Sequence, residues 1–593
     1  SRALRSAKSR RVSCAFHSAP LKPASSRDFS VLAVTFESFR RARYKTSRTW
    51  VVVSAARQIA PQPPTPNGVQ LMKNLRFSTA CLSFVLVFLL VSPPATVPQQ
   101  EQVDLEMVAK IREEGLERSQ VWKTFSQLVD VFGPRLTASP AFNAAARWAR
   151  DELRGWGMDD AHLESFEFGR GWTLQGFTLE MLEPRYMPLM GYPKAWSPST
   201  KGPIETSPLM LAGLTSNEIA AYQGQLSGAI VMTRPEETRF ITEDRDYPPD
   251  YRDAGVNPTT NQRWSPTSRT DASEADRAQQ EAQRQAARQA RATQRDAAQM
   301  LRSEGAGVAL EPSRGEHGTI FVLGQNRDDD NSVPTVVLAS EHYNMITRLM
   351  ERNVDVTLRV NIESRYHEDD TNGYNIIAEI PGVDPEIGDE IVMIGAHLDS
   401  WHSAAGATDN ADGAAVTLEA MRILKALSIK PRRTIRLALW GGEEQGLHGS
   451  RRYVERYLSG VDNADARDNF SVYFNLDPGA GPIKGFFLEG NEAVRPFFAA
   501  NLEPFADLNS TILTAGGICC TDHLSFIDEG LPGFQPIHSY DDYDVRTHHT
   551  NVDSYERINK EDLEQASVVM ASLLYHAAMR DKKIPRNPEI GAH

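Results

Sequence analysis

His397-Leu398-Asp399, Asp409, Glu443-Glu444, Asp477 and His548-His549 are the residues of this chain best suited to chemistry. Imidazoles and carboxylates are the ligand types of zinc and similar divalent ions. A carboxylate that faces an open coordination position can serve as a general base. Singly, each feature has a plainer use. One His and two Asp in a polar loop are more often turn and cap residues, and a Glu-Glu pair more often opens a solvated helix. Recurrence shifts the balance, because each group follows an apolar run in the same way.

Those runs are Ile391–Ala396, Thr434–Trp440, Ser471–Leu476 and Leu531–Ile537, all reading as buried strands. Helical spacing follows over 413–427, where Val416, Ala420, Ile423, Leu424 and Leu427 share a stripe, and over 446–458 and 561–580. Strand, loop and helix in alternation predict an α/β fold, a mixed and mostly parallel sheet sandwiched by helices. Sheets of this class gather their ligands at the carboxyl ends of the strands, so His397, Asp409, Glu443, Glu444, Asp477, His548 and His549 are expected on one rim. The glycines at 441 and 442 allow a sharp exit from the second strand. Two neighbouring carboxylates there point different ways, so one can hold a metal while the other acts as base.

The 593 residues suffice for two or three domains, and 41% apolar with 24% charged residues is ordinary for a globular protein. The net charge of −13 is uneven: residues 1–71 carry +11 and the remainder −24, which argues against nucleic acid as a partner. Residues 1–71 read as a disordered or non-native arm. Met72 opens a second pattern, a basic start, the apolar run 80–91 and Ser92-Pro93-Pro94-Ala95. That is the layout of a signal peptide over 72–98, and it predicts a secreted or periplasmic protein without a stable membrane anchor after cleavage. Residues 100–165 are expected to be helical, with Ser139-Pro140 as cap and first turn, Gly157 as stop, and Ala144, Trp148, Leu153 and Trp156 on the buried face. Residues 188–363 read as a separate module between 99–187 and 364–593. Its expected features are strands near 227–232 and 306–310 and a solvated helix over 271–302. Cys519-Cys520 leave two readings, a vicinal disulfide or two reduced buried thiols.

His397-x-Asp399-Ser400, Asp409-Asn410, Gly442-Glu443-Glu444, Asp477 and His549-Thr550-x-x-Asp553 together resemble the motif set of the co-catalytic zinc exopeptidases, a superfamily that includes leucyl aminopeptidases and glutamate carboxypeptidases. Trp401, Leu439-Trp440, Thr521-Asp522 and Gly133-Pro134-Arg135-Leu136-Thr137 add a likeness to its carboxypeptidase Q branch, over roughly 105–580. The resemblance implies two Zn2+ ions bridged by Asp409, with His397 and Asp477 on one and Glu444 and His549 on the other. It implies Glu443 as general base on a metal-activated bridging water, and Asp399 behind His397, orienting the ring through its other nitrogen. It further implies a protease-associated β-rich insert at 188–363 and a cis peptide at Asp409-Asn410. His548 is a candidate oxyanion donor. The expected activity is hydrolysis of the N-terminal bond of peptides or dipeptides, with a homodimer left open. Two other readings compete, a receptor-like binding protein on the same fold and a glutaminyl-cyclase-like acyltransferase. The complete ligand set favours the hydrolase.

Overall fold

A computed structural model describes residues 101–245, 285, 293 and 295–587. The arm, the signal-like stretch and most of the helix expected over 271–302 lie outside the described residues. Six strands form the main sheet: β1 (Asp159–Glu167), β2 (Asn372–Ile380), β3 (Ile391–His397), β4 (Thr434–Trp440), β5 (Phe470–Leu476) and β6 (Gly533–Phe534). Their order is β1-β2-β4-β3-β5-β6. β3 runs parallel to β4 and β5, and β5 parallel to β6, while β1 and β2 are antiparallel additions on one side. The sheet is therefore mixed and parallel where the expected ligands lie.

The apolar runs are continuous because both faces are covered. Alternate residues Val392, Ile394 and Ala396, with Ile435, Leu437 and Leu439, face one cluster. Met393, Ala438, Trp440 and Tyr473 face another, under Tyr453 and Phe526. Helices of the first cluster include α1 (Leu105–Glu117), α2 (Val121–Ser126), α3 (Pro140–Gly155), α4 (Asp412–Ala426) and α6 (Lys560–Met579); α5 (His448–Tyr457) lies on the other face. α4 is buried almost all round, beyond its apolar stripe, and the two charges at the middle of it, Glu419 and Arg422, are paired. Arg422 donates to Glu419 and to Glu114 of α1, both at 2.8 Å.

Several sequence expectations need correction. Residues 100–165 are not one helical stretch: 133–139 is non-helical and the chain is β1 from Asp159. Ser139 does cap α3, its Oγ accepting from Phe142 N at 3.2 Å, and Gly157 does end it, at φ +80°. The buried face of α3, however, is Phe142, Ala145, Ala146, Ala149 and Leu153. Ala144, Trp148 and Trp156 flank that stripe and are half-buried. Leu531–Ile537 is not one strand. Gly533–Phe534 pairs with β5, but the chain then leaves the sheet, and Pro536–Ser539 pairs with Ala480–Phe487 in a separate three-stranded sheet. Pro536, which has no N–H to give, stands where the chain changes sheets. Cys519 and Cys520 are free and exposed, not buried.

Between α3 and β2 the chain builds further sheets. Gly171–Glu183 and Thr357–His367 pair antiparallel along their whole length, so the polypeptide leaves and returns at neighbouring points. Between them lies a five-stranded sheet, Gly191–Pro193, Thr335–Leu338, Val308–Pro312, Ile230–Met232 and Leu209–Met210 in spatial order. Both strands expected near 227–232 and 306–310 are present in it.

Candidate metal centre

Each expected ligand arrives from its own element. β3 ends in His397, directly opposite Trp440, the last residue of β4. Asp477 follows β5, and Asp409 lies in the turn ahead of α4, where the Asp409-Asn410 peptide is cis. Glu443 and Glu444 leave β4 after Gly442, which sits at φ +72°, a conformation glycine takes without a Cβ penalty. The glutamates stand in a turn ahead of α5, not on a solvated helix start. His548 and His549 come from the loop beyond Pro536–Ser539. The structure brings all seven to one place.

Asp409 stands at the centre. Its Oδ1 lies 3.2 Å from His397 Nε2 and its Oδ2 lies 3.3 Å from His549 Nε2. Asp477 Oδ1 is 3.3 Å from His397 Nε2, and Glu444 Oε2 is 2.9 Å from His549 Nε2. One carboxylate thus spans two half-sites, each with an imidazole and a further acid. Glu443 stands further back, its Oε2 4.0 Å from His397 Nε2. One of its oxygens still lies within 4.8 Å of a ligand atom of His397 and of Asp477, and a ring nitrogen of His548 lies as near to those of Asp409 and His549. The His548 ring lies 3.8 Å from that of His549 and stacks on Tyr543.

The surrounding hydrogen bonds fix these groups. His397 Nδ1 is 2.9 Å from the Asp399 carbonyl, which can only accept, so Nδ1 carries a proton and Nε2 is the nitrogen that faces the acids. Asp399 therefore orients His397 through its backbone first, its carboxylate being 3.6 Å from Nδ1. That carboxylate mainly serves the glutamate turn, accepting from Glu443 N at 3.2 Å and Glu444 N at 3.3 Å. Thr137 donates to it at 3.0 Å and accepts from Gly442 N. Asp553 accepts from the backbone of Thr408 and Asp409 at 2.7 and 3.2 Å, holding the central carboxylate's own main chain. Arg135 is fully buried beneath, donating to the carbonyls of Leu398, Ala405 and Gly406 at 2.8–2.9 Å. Sequence reading placed Asp553, Thr137 and Arg135 in motifs but gave them no task. Apart from the Asp399 carboxylate that Thr137 binds, their partners are carbonyls and N–H groups, which leave no residue-type signal.

The electrostatics ask for cations. Burial pushes the carboxyls of Glu443 and Glu444 well above their ordinary range, and the neighbouring acids Asp477 and Asp409 push further. Burial likewise raises Asp522 and Asp553 to about 7. Burial opposes charge on His397, yet Asp477 and Glu443 outweigh it and hold its pKa well above 6.5. His548 is drawn down to about 3 by burial and by His549. Burial lowers Arg135 to about 10, still charged at neutral pH. Buried acids outnumber the positive groups that could balance them. In addition, Glu444 Oε1 is buried without a hydrogen-bond partner. Such an orphan beside an imidazole-carboxylate set fits divalent metal ions.

Comparison with known proteins agrees. Residues 375–574 match Peptidase family M28. Carboxypeptidase Q of Homo sapiens is 24% identical over 474 residues, 80% of this chain and 88% of that protein. Aminopeptidase YwaD of Bacillus subtilis (strain 168) is 32% identical over 204 residues, 33% of this chain and 42% of that protein. Among solved structures, a Peptidase M28 precursor from Shewanella amazonensis SB2B superposes with a TM-score of 0.58 at 22% identity, covering 82% of this chain and 98% of its own. BSAP, a zinc aminopeptidase from Bacillus subtilis, superposes with a TM-score of 0.50 at 18% identity, covering 79% and 98%; both share the fold. Residues 375–574 are a Peptidase family M28 domain, and the chain is a zinc metallopeptidase similar to carboxypeptidase Q and to the aminopeptidases.

Proposed function

We propose that this chain is a two-zinc exopeptidase that hydrolyses the N-terminal peptide bond of peptides or dipeptides. The observation that carries the reading is the split of Asp409: each of its oxygens faces a different histidine, at 3.2 and 3.3 Å. His397 and Asp477 would hold one ion and Glu444 and His549 the other, with Asp409 shared. The zinc pair, when bound, supplies Lewis acidity to the scissile carbonyl and to the attacking water. Glu443 takes that water's proton on its carboxylate and delivers it to the leaving amine. Its distance from His397, longer than those of Asp409 and Asp477, supports a base over a ligand. Asp399 keeps His397 in the tautomer that leaves Nε2 bare, and its carboxylate keeps the glutamate turn in place. His548, neutral at working pH and beside the centre, is a donor for the developing oxyanion.

The BSAP aminopeptidase is a zinc enzyme by name, which supports zinc here. The segment 188–363, with its own five-stranded sheet, is read as the protease-associated-like insert. Export rests on the Met72–Ala95 pattern; amino-terminal sequencing of the mature protein tests it. Among the described residues no helix is long and apolar enough to cross a membrane. The activity is tested by a dipeptide panel with a zinc count per chain, before and after chelation. Two zinc ions, release of the amino-terminal residue, loss on chelation and recovery with zinc are expected. Hydrolysis that persists in the metal-free protein sinks the reading.

A further inference from the structure

The loop that presents His548 and His549 is held in part by chain from outside it. Asp542 and His549 sit at φ +63° and +61°, in the left-handed region that costs residues other than glycine about 1 kcal/mol or more. The loop's own bonds are local turns, among them Arg546 N and Thr547 N to Asp542 O, His548 N to Tyr543 O and Thr550 N to Thr547 O. Much of its remaining restraint comes from the segment between the two long paired strands, at two points.

The first point is Asp244-Arg245. Asp244 accepts from the backbone of Asp542 and Val545 with its two carboxylate oxygens, each at 2.9 Å. Arg245 binds Asp544 from three sides: its backbone N at 2.9 Å, Nε at 2.7 Å and Nη2 at 2.5 Å. Its guanidinium lies over the rings of Tyr540 and Tyr543, at 5.0 and 5.6 Å. Tyr543 in turn stacks on His548. Both partners of the ion pair are largely buried, with side chains 17% and 19% exposed, so solvent screens the pair little. The second point is Ile320–Val322. Val322 N donates to His549 O at 3.1 Å, and Ile320 exchanges bonds with Asn551. The histidine pair is thus strapped on both sides by chain that lies some 200 residues or more earlier in sequence.

We propose that Asp244 and Arg245 are positioning residues of the metal centre, acting through the 542–545 turn and Tyr543 on His548 and His549. The proposal rests on reading His549 as a metal ligand. Neither residue touches the reacting atoms. Their effect is to hold one imidazole at the distance and angle a metal ion demands, a tolerance of roughly half an ångström. Substitution of such outer partners costs about 10–100-fold in metal affinity or activity. Lysine cannot reproduce the planar fork of Arg245 and should fall between.

The test is a Co2+ titration of the chelator-stripped full-length protein, followed by visible absorption, beside kcat and KM of the zinc-loaded enzyme. The variants are Arg245→Ala, Arg245→Lys and Asp244→Asn. Arg359→Ala, which removes an ion pair with Glu205 and Glu180 in a different sheet, is the control. Wild type and the control should take up two Co2+ per chain with equal affinity. Arg245→Ala and Asp244→Asn should bind one of the two about 10–100-fold more weakly and lose about as much kcat, with little change in KM; Arg245→Lys should be intermediate. If Arg245→Ala does not fold, the other two variants carry the comparison. Unchanged uptake and kcat in the folded variants, or an equal loss in Arg359→Ala, overturns the proposal. A wild type that takes up no Co2+ overturns the metal reading itself, and the proposal with it.

Discussion

At the scale of residues, the glutamate pair is the sharpest point of the reading. Glu443 and Glu444 are adjacent in sequence, equally acidic in solution and alike in having largely covered side chains, so residue type alone assigns neither. Position separates them. Glu444 Oε2 touches His549 Nε2 at 2.9 Å, whereas Glu443 stands 4.0 Å from His397. A group that accepts and returns a proton must be free of a fixed partner, and a ligand must not. Glu443→Gln keeps size and shape and removes the proton acceptor. Its expected outcome is full zinc content with kcat lowered by about 10^2–10^4-fold. Zinc by atomic absorption and turnover of a dipeptide check both halves. A normal kcat removes Glu443 from the proton path, and a lost zinc ion makes it a ligand.

At the scale of elements, side-chain chemistry was legible in the sequence and main-chain support was not. The strands β3, β4 and β5 were readable because burial on both faces forces unbroken apolar runs, and their ends announced themselves by a change to His, Glu and Asp. Leu531–Ile537 was misread for the same reason: seven largely apolar residues look alike whether they stay in one sheet or pass between two. The supports were hidden because Asp399, Asp553 and Arg135 work through main-chain groups that every residue carries. So was the clamp of Asp244-Arg245, which joins segments about 300 residues apart. A similar hidden demand sits at the start of α4. A Cβ on Gly413 would lie 2.2 Å from Asn410 Oδ1 and 2.9 Å from Leu476 O. Asn410 donates to that same Leu476 carbonyl and accepts from Gly413 N, so these bonds tie the Asp409 turn to the end of β5. Gly413→Ala is therefore expected to move the turn, cost about 1–3 kcal/mol of stability by overpacking and lower zinc content with it. Urea unfolding with parallel metal analysis checks this. Unchanged zinc at reduced stability would confine the role of Gly413 to packing.

At the scale of the whole molecule, the acid-rich interior predicts a strong dependence on pH, and one buried histidine allows part of it to be isolated. His538 is 5% exposed, with Nδ1 3.1 Å from the Gly481 carbonyl. Burial draws its pKa down to about 4, against the slight upward pull of that carbonyl. In the unfolded chain a histidine titrates near 6.5. Between those two values the unfolded state binds a proton that the folded state refuses, so stability must fall as pH falls. The contribution is absent above about pH 7 and grows to about 2–3 kcal/mol by pH 4.5, from a shift of about 2.5 units at 1.36 kcal/mol each. His538→Gln can keep the contact to Gly481 but cannot titrate. Both proteins should lose stability on acidification, because the site carboxylates titrate in each, but the variant should lose about 2 kcal/mol less between pH 7 and pH 4.5. Denaturant unfolding at the two pH values measures the difference of differences, in which every group common to the two chains cancels. Equal losses in the two proteins would mean that His538 takes its proton in the folded state as readily as in the unfolded one.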